Sequence, residues 1–369
     1  MQGLISRGQK SKKSRSSHSA RVWPRALAFL GVSLLLVLAL GVSWLYQPMG
    51  FQIKPTDSNS PSAGGSVLDL SIESGTSPRG VAQAVVQAGA DTSAQLLLLW
   101  FKASGQARAI KAGSYEISLN MSPKMLLNML VRGEETLRSL TVVEGWNFKQ
   151  LRQAMAKADS LKPSTLSISD AQIMKELGRP QLHPEGRFYP DTYTYAKGAT
   201  DLSVLKRAMA AMDRHLDRAW AQRHPSAAVK TPEEALILAS IVEKETGKAA
   251  DRAMISGVFN NRLRIGMRLQ TDPTVIYGLG STFDGNLRRS DLRQDTPYNT
   301  YTRDGLPPSP IAMPGKAALM AAVQPAATQA LYFVARGDGS SHFSQELSEH
   351  NRAVNRYQRG MSLEFAPSR

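Results

Sequence analysis

The 369-residue chain has no cysteine, which excludes disulfide bonds and thiol chemistry. It also lacks three motifs of common enzyme classes: the Gly-x-Ser-x-Gly nucleophile turn, the His-Glu-x-x-His zinc pair and the Gly-x-x-x-x-Gly-Lys phosphate loop. Its six histidines are scattered, and none has the spacing of metal ligands. We therefore expect no bound metal and no cofactor, and a fold stabilised by its hydrophobic core alone.

Charge is missing from two N-terminal segments. Residues 1–25 contain seven Lys and Arg but no acid, and residues 26–46 contain no charged side chain. This uncharged run ends in Trp44 and Tyr46, is long enough to span a bilayer and carries an aromatic anchor. A cleaved signal peptide is the alternative, but its apolar part is usually only about 7 to 15 residues long. The run therefore predicts a single transmembrane helix.

The basic tail sets the expected orientation of that helix. The positive-inside rule places residues 1–25 in the cytoplasm and the chain after Tyr46 on the other side of the membrane, so nucleic acid is not an expected partner. Removing the seven basic residues of the tail from the formal charge of +15 leaves +8. That excess suits an anionic polymer or lipid surface, although simple solubility would account for it equally well.

The remainder of the chain predicts an α+β fold. Residues 47–65 are rich in Pro, Ser and Gly and are typical of a linker. A strand from Val67, a turn and a helix closing at Gly89 follow, and Leu140 to Met155 repeat this pattern more weakly. The strand, turn and helix resemble a LysM-type sugar-binding fold. After residue 200 the sequence predicts a helix capped by Asp201 and a second helix over 252–267, with Arg262 on its outer side. Pro273 is predicted to break the helical pattern, and a loop follows over 292–310. Strands at 331–334 and 342–343 and a final helix over 346–359 complete the chain's predicted elements.

For one helix, over residues 231–247, the sequence contains residues typical of both a helix start and a helix end. Thr231 is a suitable N-cap, Pro232 fits the first helical position, and Glu234 stands where a capping box requires it. Gly247 can adopt the left-handed conformation that ends a helix. The helix has an apolar face, composed of Ala235, Leu238, Ile241 and Val242.

Glu245 lies only about 20° from that apolar face, whereas Glu243 lies about 140° from Leu238. Desolvation and the negative end of the helix dipole both favour the protonated form of such a carboxyl group, which suits a general acid. The alternative is an exposed or ion-paired glutamate at a fraying helix end.

Polar and aromatic loop residues accompany this candidate acid. They are the groups that a polysaccharide cleft requires, because sugar faces stack on aromatic rings and sugar hydroxyls need donors and acceptors. Our candidate substrate contacts are Gln270, Thr271, Asp272, Tyr298, Asn299, Thr300, Tyr301 and Asp191. Hydrogen bonds that only stabilise the loops are the alternative role for these side chains.

Five motifs carry a family resemblance: Glu185-Gly-Arg-Phe-Tyr-Pro-Asp-Thr-Tyr193, Leu238-Ala-Ser-Ile-Val-Glu-Lys-Glu-Thr246, the segment Val258 to Gly278, Tyr298-Asn-Thr-Tyr301 and Gly305-Leu-Pro-Pro308. They resemble the MltG (YceG-like) family of endolytic murein transglycosylases over about Leu70 to Arg359. The resemblance implies cleavage of glycan strands between N-acetylmuramic acid and N-acetylglucosamine, which leaves a 1,6-anhydro end. It also implies that Glu245, the second glutamate of the Glu-Lys-Glu triplet, is catalytic.

The residue patterns and the resemblance together give each segment an expected role: 1–25 a cytoplasmic basic tail, 26–46 the transmembrane helix, 47–65 the linker, 66–145 a LysM-like subdomain, and 146–369 a mainly helical catalytic domain with small β elements. The extended basic tail and the linker depart from the family's pattern. Glycan strands and peptidoglycan synthases are the expected partners, on the outer side of the cytoplasmic membrane. Two alternatives stay open. One is a non-catalytic glycan-binding scaffold, and the other is a hydrolase that uses water and a second carboxylate, such as Asp272 or Asp191.

Overall fold

A computed structural model describes residues 22–51, 67–245 and 248–359. These residues form two compact units, which divide between Thr136 and Leu137. Within the described ranges, all strands belong to two-stranded antiparallel sheets, and helices make up most of the regular structure. The mixed α+β class predicted from the sequence is confirmed, while the LysM-like subdomain stays a prediction.

The first unit contains α1 (Val22–Tyr46), β1 (Gly50–Phe51), β2 (Val67–Ile72), α2 (Pro78–Gln87), β3 (Ala90–Asp91), α3 (Ala94–Ala103), β4 (Gly113–Ser118) and α4 (Pro123–Arg132). Strand β2 pairs with β4, and β1 pairs with β3. Helices α2 and α4 each begin with proline after a serine N-cap, a combination that favours a helix start. Their apolar faces cover the sheets and bury Val81, Val85, Leu126 and Leu130.

Helix α1 includes Leu27–Tyr46, a segment that is long and apolar enough to cross a membrane. The chain after it does not leave the unit at once. Met49 is buried among the core side chains, its backbone N–H donates to Met121 at 2.9 Å, and strand β1 follows. Residues 47–51 of the predicted linker therefore belong to the first unit. The rest of that linker lies outside the described residues.

The second unit contains β5 (Leu137–Thr141), α5 (Phe148–Lys157), α6 (Asp170–Glu176), β6 (Thr192–Ala196), α7 (Asp201–Ala221), α8 (Pro232–Glu245), α9 (Ala249–Arg264), α10 (Asp272–Leu279), a 3₁₀ turn (Gly280–Thr282), α11 (Lys316–Val323), β7 (Tyr332–Ala335), β8 (Ser341–Ser344), α12 (Leu347–Val354) and a π-helical turn (Asn355–Arg359). Helix α7 contributes to two cores, one shared with α5 and β6 and the other with α8 and α11. Helix α8 lies in the second of these cores.

Three local predictions for this unit were wrong. Thr200, not Asp201, caps α7, and the buried carboxylate of Asp201 instead accepts hydrogen bonds from Ser164 and Thr165. Arg262 is buried, although the surrounding arginines had suggested an outward position. Pro273 does not break a helix but stands in the first turn of α10, where its missing N–H leaves no intrahelical bond unmade.

Candidate functional site

Glu245 is the last residue of α8, a helix that is buried on all sides. Residues 235–242 are all buried, so the one-sided apolar face predicted from the sequence is wrong. A helix that is hydrophobic all round lies inside a domain. The Thr231 hydroxyl accepts from the backbone N–H of Glu234 at 3.1 Å, as in a capping box. The Glu234 carboxylate, however, accepts from the backbone N–H of Lys230 and not from that of Thr231. The predicted stop at Gly247 lies outside the described residues.

Burial alone does not distinguish the two glutamates at the end of α8, because it raises the pKa of both. Their partners do distinguish them. The Oε2 atom of Glu243 accepts from the backbone N–H of Gly315 at 2.9 Å, just before α11. Glu245 faces the start of α10, where the Thr271 hydroxyl donates to its Oε1 atom. Glu243 therefore joins two helices, while Glu245 contacts a polar side chain.

The pKa of the Glu245 carboxyl is raised to about 7, chiefly because burial disfavours the carboxylate. The hydrogen bond from Thr271 opposes this shift, the negative charge of Asp272 adds to it, and the buried guanidinium of Arg262 opposes it. Near neutral pH, Glu245 can therefore either donate or accept a proton. That property is what a group serving as acid and then as base requires.

The turn before α10 places the Thr271 hydroxyl in contact with the Glu245 carboxyl. Gln270 has a φ of 49°, a left-handed conformation that a residue with a side chain seldom adopts. Its N–H donates to the Thr300 carbonyl at 3.1 Å, and the Thr271 N–H donates to the Thr300 hydroxyl at 3.1 Å. Strained backbone of this kind concentrates at functional sites. The side chain of Gln270 is exposed beside this turn.

The loop over 292–310 has no helix or strand, as predicted, and it holds the turn in place. The Tyr301 hydroxyl donates to Oδ1 of Asp272 at 2.6 Å, which links the loop to the first residue of α10. The hydroxyls of Thr300 and Thr274 lie 2.9 Å apart in the buried space beneath. Predicted contacts separated by about thirty residues in sequence are thus brought together.

The predicted substrate contacts differ in whether their polar groups are already engaged in hydrogen bonds within the protein. Tyr298 lines a cleft, and its hydroxyl lies 2.7 Å from that of Ser309. Asn299 is fully buried, and its amide N–H groups donate to the carbonyls of Asp291, Leu292 and Gln294. For Asn299 and Thr300, these bonds favour the loop-stabilising alternative. Asp272 and Gln270 remain exposed.

Asp191 lies apart from this group. Its side chain is exposed just before β6, where Oδ1 accepts from the Thr192 N–H at 2.7 Å. Its charge acts on Tyr189, Tyr193 and His215, which belong to the region around α7. The structure thus gathers the residues around Glu245 and leaves Asp191 outside the cluster.

Sequence reasoning gave no role to Glu185, a second buried carboxyl group. Only 3% of Glu185 is exposed, and burial raises its pKa to about 7. It lines the same cleft as Tyr298 and Lys244, the neighbour of Glu245 in the chain. Its position in the aromatic segment Glu185–Tyr193 was the one signal that could have indicated burial. Within residues 22–51, 67–245 and 248–359, no three His, Asp or Glu side chains are grouped so that they could hold a metal ion.

Comparisons with known proteins give matches over most of the chain. The YceG-like family model matches residues 70–356. An endolytic murein transglycosylase of Bacillus subtilis (strain 168) is 30% identical over 337 residues, which cover 87% of this chain and 91% of that protein. An endolytic murein transglycosylase of Streptococcus pneumoniae (strain ATCC BAA-255 / R6) is 28% identical over 359 residues, covering 88% of this chain and 64% of that protein. The solved structure of a YceG-like protein from Listeria monocytogenes, 28% identical, aligns with 78% of this chain and 98% of its own, with a TM-score of 0.49.

Proposed function

Because the chain belongs to the YceG-like family, we propose that it cleaves peptidoglycan glycan strands internally, with Glu245 as its catalytic acid and base. Family membership makes it a murein transglycosylase, a lyase that acts on peptidoglycan. The finer proposal is that it breaks the bond between N-acetylmuramic acid and N-acetylglucosamine in nascent strands and leaves 1,6-anhydro ends. Cleavage there would end the elongation of a strand.

The observation that carries this proposal is the state of Glu245. Its pKa of about 7 keeps a large share of the carboxyl protonated near neutral pH. The hydroxyl of Thr271, just before α10, orients that carboxyl. Glu245 donates its proton to the glycosidic oxygen as the bond to the anomeric carbon breaks. The C6 hydroxyl of the muramic acid then attacks that carbon, and the Glu245 carboxylate takes the hydroxyl proton. No water enters, and Glu245 returns to its starting form.

The first test compares two matched substitutions on purified glycan strands. Glu245→Gln removes the proton donor without changing the side chain's size, so the rate of anhydro-end formation should fall by roughly 10²-fold or more. Glu243→Gln should keep most activity, because its amide oxygen can still accept from the Gly315 N–H. Near wild-type activity in Glu245→Gln would rule out the assignment.

Mass spectrometry of the same products separates the competing functions. A transglycosylase leaves anhydro ends, whereas a hydrolase leaves reducing ends that carry one more water. A hydrolase would also need a second carboxylate about 5 to 9.5 Å from Glu245. Asp272, whose charge acts on Glu245, is the candidate for that carboxylate. Binding of glycan without any new ends would indicate a scaffold instead. We expect anhydro ends only.

We further propose that α1 anchors the enzyme in the cytoplasmic membrane, with residues 1–25 inside and the two units outside. The apolar segment Leu27–Tyr46 and the preceding basic residues support this orientation. Peptidoglycan synthases are the proposed protein partners, because they make the strands that this enzyme would cut, and crosslinking in growing cells would test that association.

The absence of native cysteine makes the orientation easy to test, since a single introduced thiol is the only one in the chain. In intact spheroplasts, Ser60→Cys should react with a membrane-impermeant maleimide. Ser16→Cys should react only after the membrane is permeabilised. Labelling of Ser16→Cys alone in intact spheroplasts would reverse the proposed topology.

A further inference from the structure

A cleft of about 730 Å³ opens in the second unit beside the end of α8. Its size falls in the range of sites that enclose small molecules. We call it the Glu185 cleft; its walls include His183, Glu185, Tyr277, Phe283, Tyr298 and Lys244. With Phe148, four phenylalanine and tyrosine residues thus line a cavity that also contains charged and hydrogen-bonding groups. This combination suits a sugar ring, whose faces are apolar and whose edges carry hydroxyls.

The cleft lies at the end of α8 that carries Glu245. Lys244 lines it and precedes Glu245 directly in the chain. Helix α10 begins at Asp272, just after the Thr271 hydroxyl that contacts Glu245, and its residues Pro273 and Tyr277 line the cleft. A ligand in the cleft would therefore lie at the end of α8, next to the two elements that hold the proposed catalytic acid.

Glu185 determines how that wall is held. Both of its carboxylate oxygens accept from the N–H of Phe148, the first residue of α5, at 3.0 and 3.1 Å. The Tyr277 hydroxyl donates to Oε2 of Glu185 at 3.2 Å. The ring of Tyr277 in turn packs edge-on against that of Tyr298, with centroids 4.8 Å apart. A buried carboxylate thus joins α5 to α10 and fixes two aromatic rings of the cleft.

We propose that the Glu185 cleft binds one N-acetylhexosamine unit of the glycan beside the bond that Glu245 breaks, and that Glu185 is the positioning residue that holds Tyr277 as its aromatic wall. This inference rests on the proposed function. A purely structural role for Glu185 would affect how much enzyme is folded. A positioning role changes how tightly the folded enzyme holds glycan, which appears in KM.

The experiment measures kcat, KM and melting temperature on peptide-free glycan strands. Tyr277→Phe removes one positioning hydrogen bond and should raise KM about fivefold, with kcat within about twofold. Glu185→Met has nearly the same length but no oxygen that can accept from the Tyr277 hydroxyl, so it should behave similarly. The double variant should raise KM no further than either single change, because both remove the same contact. Glu176→Gln, an exposed carboxyl on α6, is the control and should leave KM unchanged.

An unchanged KM in Tyr277→Phe and Glu185→Met, with only a lower melting temperature, would overturn the inference. So would additive effects in the double variant. If the wild type forms no anhydro ends, the proposed function fails, and calorimetry with an N-acetylglucosamine tetramer then tests the cleft by itself. Weaker tetramer binding by Tyr277→Phe than by wild type would support the subsite, and equal binding would refute it.

Discussion

At the scale of single residues, the chemistry depends on what surrounds the Glu245 carboxyl. Burial raises its pKa most, and the neighbouring groups then adjust the value in opposite directions. Thr271 stabilises the carboxylate by donating a hydrogen bond, while the charge of Asp272 destabilises it. Because both neighbours belong to the start of α10, one turn of the chain tunes the proposed acid in two ways.

A pH profile should reveal this tuning. Glu245 must begin each cycle protonated, so kcat/KM should be constant below pH 7 and fall tenfold per unit above it. Thr271→Val removes the donor and should move the midpoint of this fall to higher pH. Asp272→Asn removes the negative charge and should move it to lower pH, each by about 0.5 to 1 unit.

Glu185 is the control for that profile, because its pKa is also raised to about 7. Glu185→Met should weaken glycan binding but leave the midpoint of the pH dependence in place. If Glu185→Met removes the fall in kcat/KM, or if the Thr271 and Asp272 variants both leave it unmoved, another group is responsible for the proton transfer.

At the scale of elements, the segment that carries Glu185 depends on one close approach. Gly186 has a φ of 77°, and a Cβ atom there would lie 2.5 Å from Cβ of Pro310. This glycine lets the segment pack directly against Pro310, at the end of the loop over 292–310. The contact fixes Glu185 from one side while α5 and α10 fix it from the other.

Alanine substitution at two glycines separates close packing from backbone strain. Gly178 has nearly the same φ, 76°, but a Cβ atom there would meet nothing within 4 Å. Gly178→Ala should therefore cost about 1 kcal/mol of unfolding free energy, the strain of the left-handed backbone. Gly186→Ala adds the clash with Pro310 and should cost about 3 kcal/mol. Denaturant unfolding measures both, and equal costs would show that the contact is unimportant.

At the scale of the whole molecule, the apolar helix α1 shares a core with the rest of the first unit. Met49, only 3% exposed, follows α1 directly and packs into that core, and Trp44 packs against its edge. The first unit is therefore not separated from the proposed membrane span by a free linker. Its sheet and helices begin within a few residues of Tyr46.

Truncation tests this coupling. A chain that begins at Gln47 retains Met49 and β1, whereas one that begins at Val67 lacks both. Loss of a buried methionine side chain should lower the stability of the first unit by about 2 to 3 kcal/mol. Calorimetry of the two truncated chains should show unfolding of the first unit at a lower temperature in the shorter one. Identical transitions would mean that residues 47–51 add nothing to this unit.

The sequence predicted the elements that depend on local pattern. The threonine and proline at the start of α8, the apolar run of α1 and the long polar-aromatic loop follow from neighbouring residues, and the structure has each of them. Helical geometry also indicated Glu245, although the apolar stripe used for this was too narrow, since α8 is buried on every side. Periodicity could not show that burial, because it depends on which elements surround the helix.

The sequence by itself determined an apolar segment long enough to span a membrane, the absence of thiol chemistry and a glutamate at the end of a hydrophobic helix. Only the tertiary structure decided which partner each glutamate at the end of α8 contacts, and that Glu185 is buried in a cleft lined by Lys244. The physical reason is distance along the chain. Thr271 lies 26 positions from Glu245, and Tyr277 lies 92 from Glu185. Their hydrogen bonds, and the dehydration that raises both pKa values, exist only once the helices have packed.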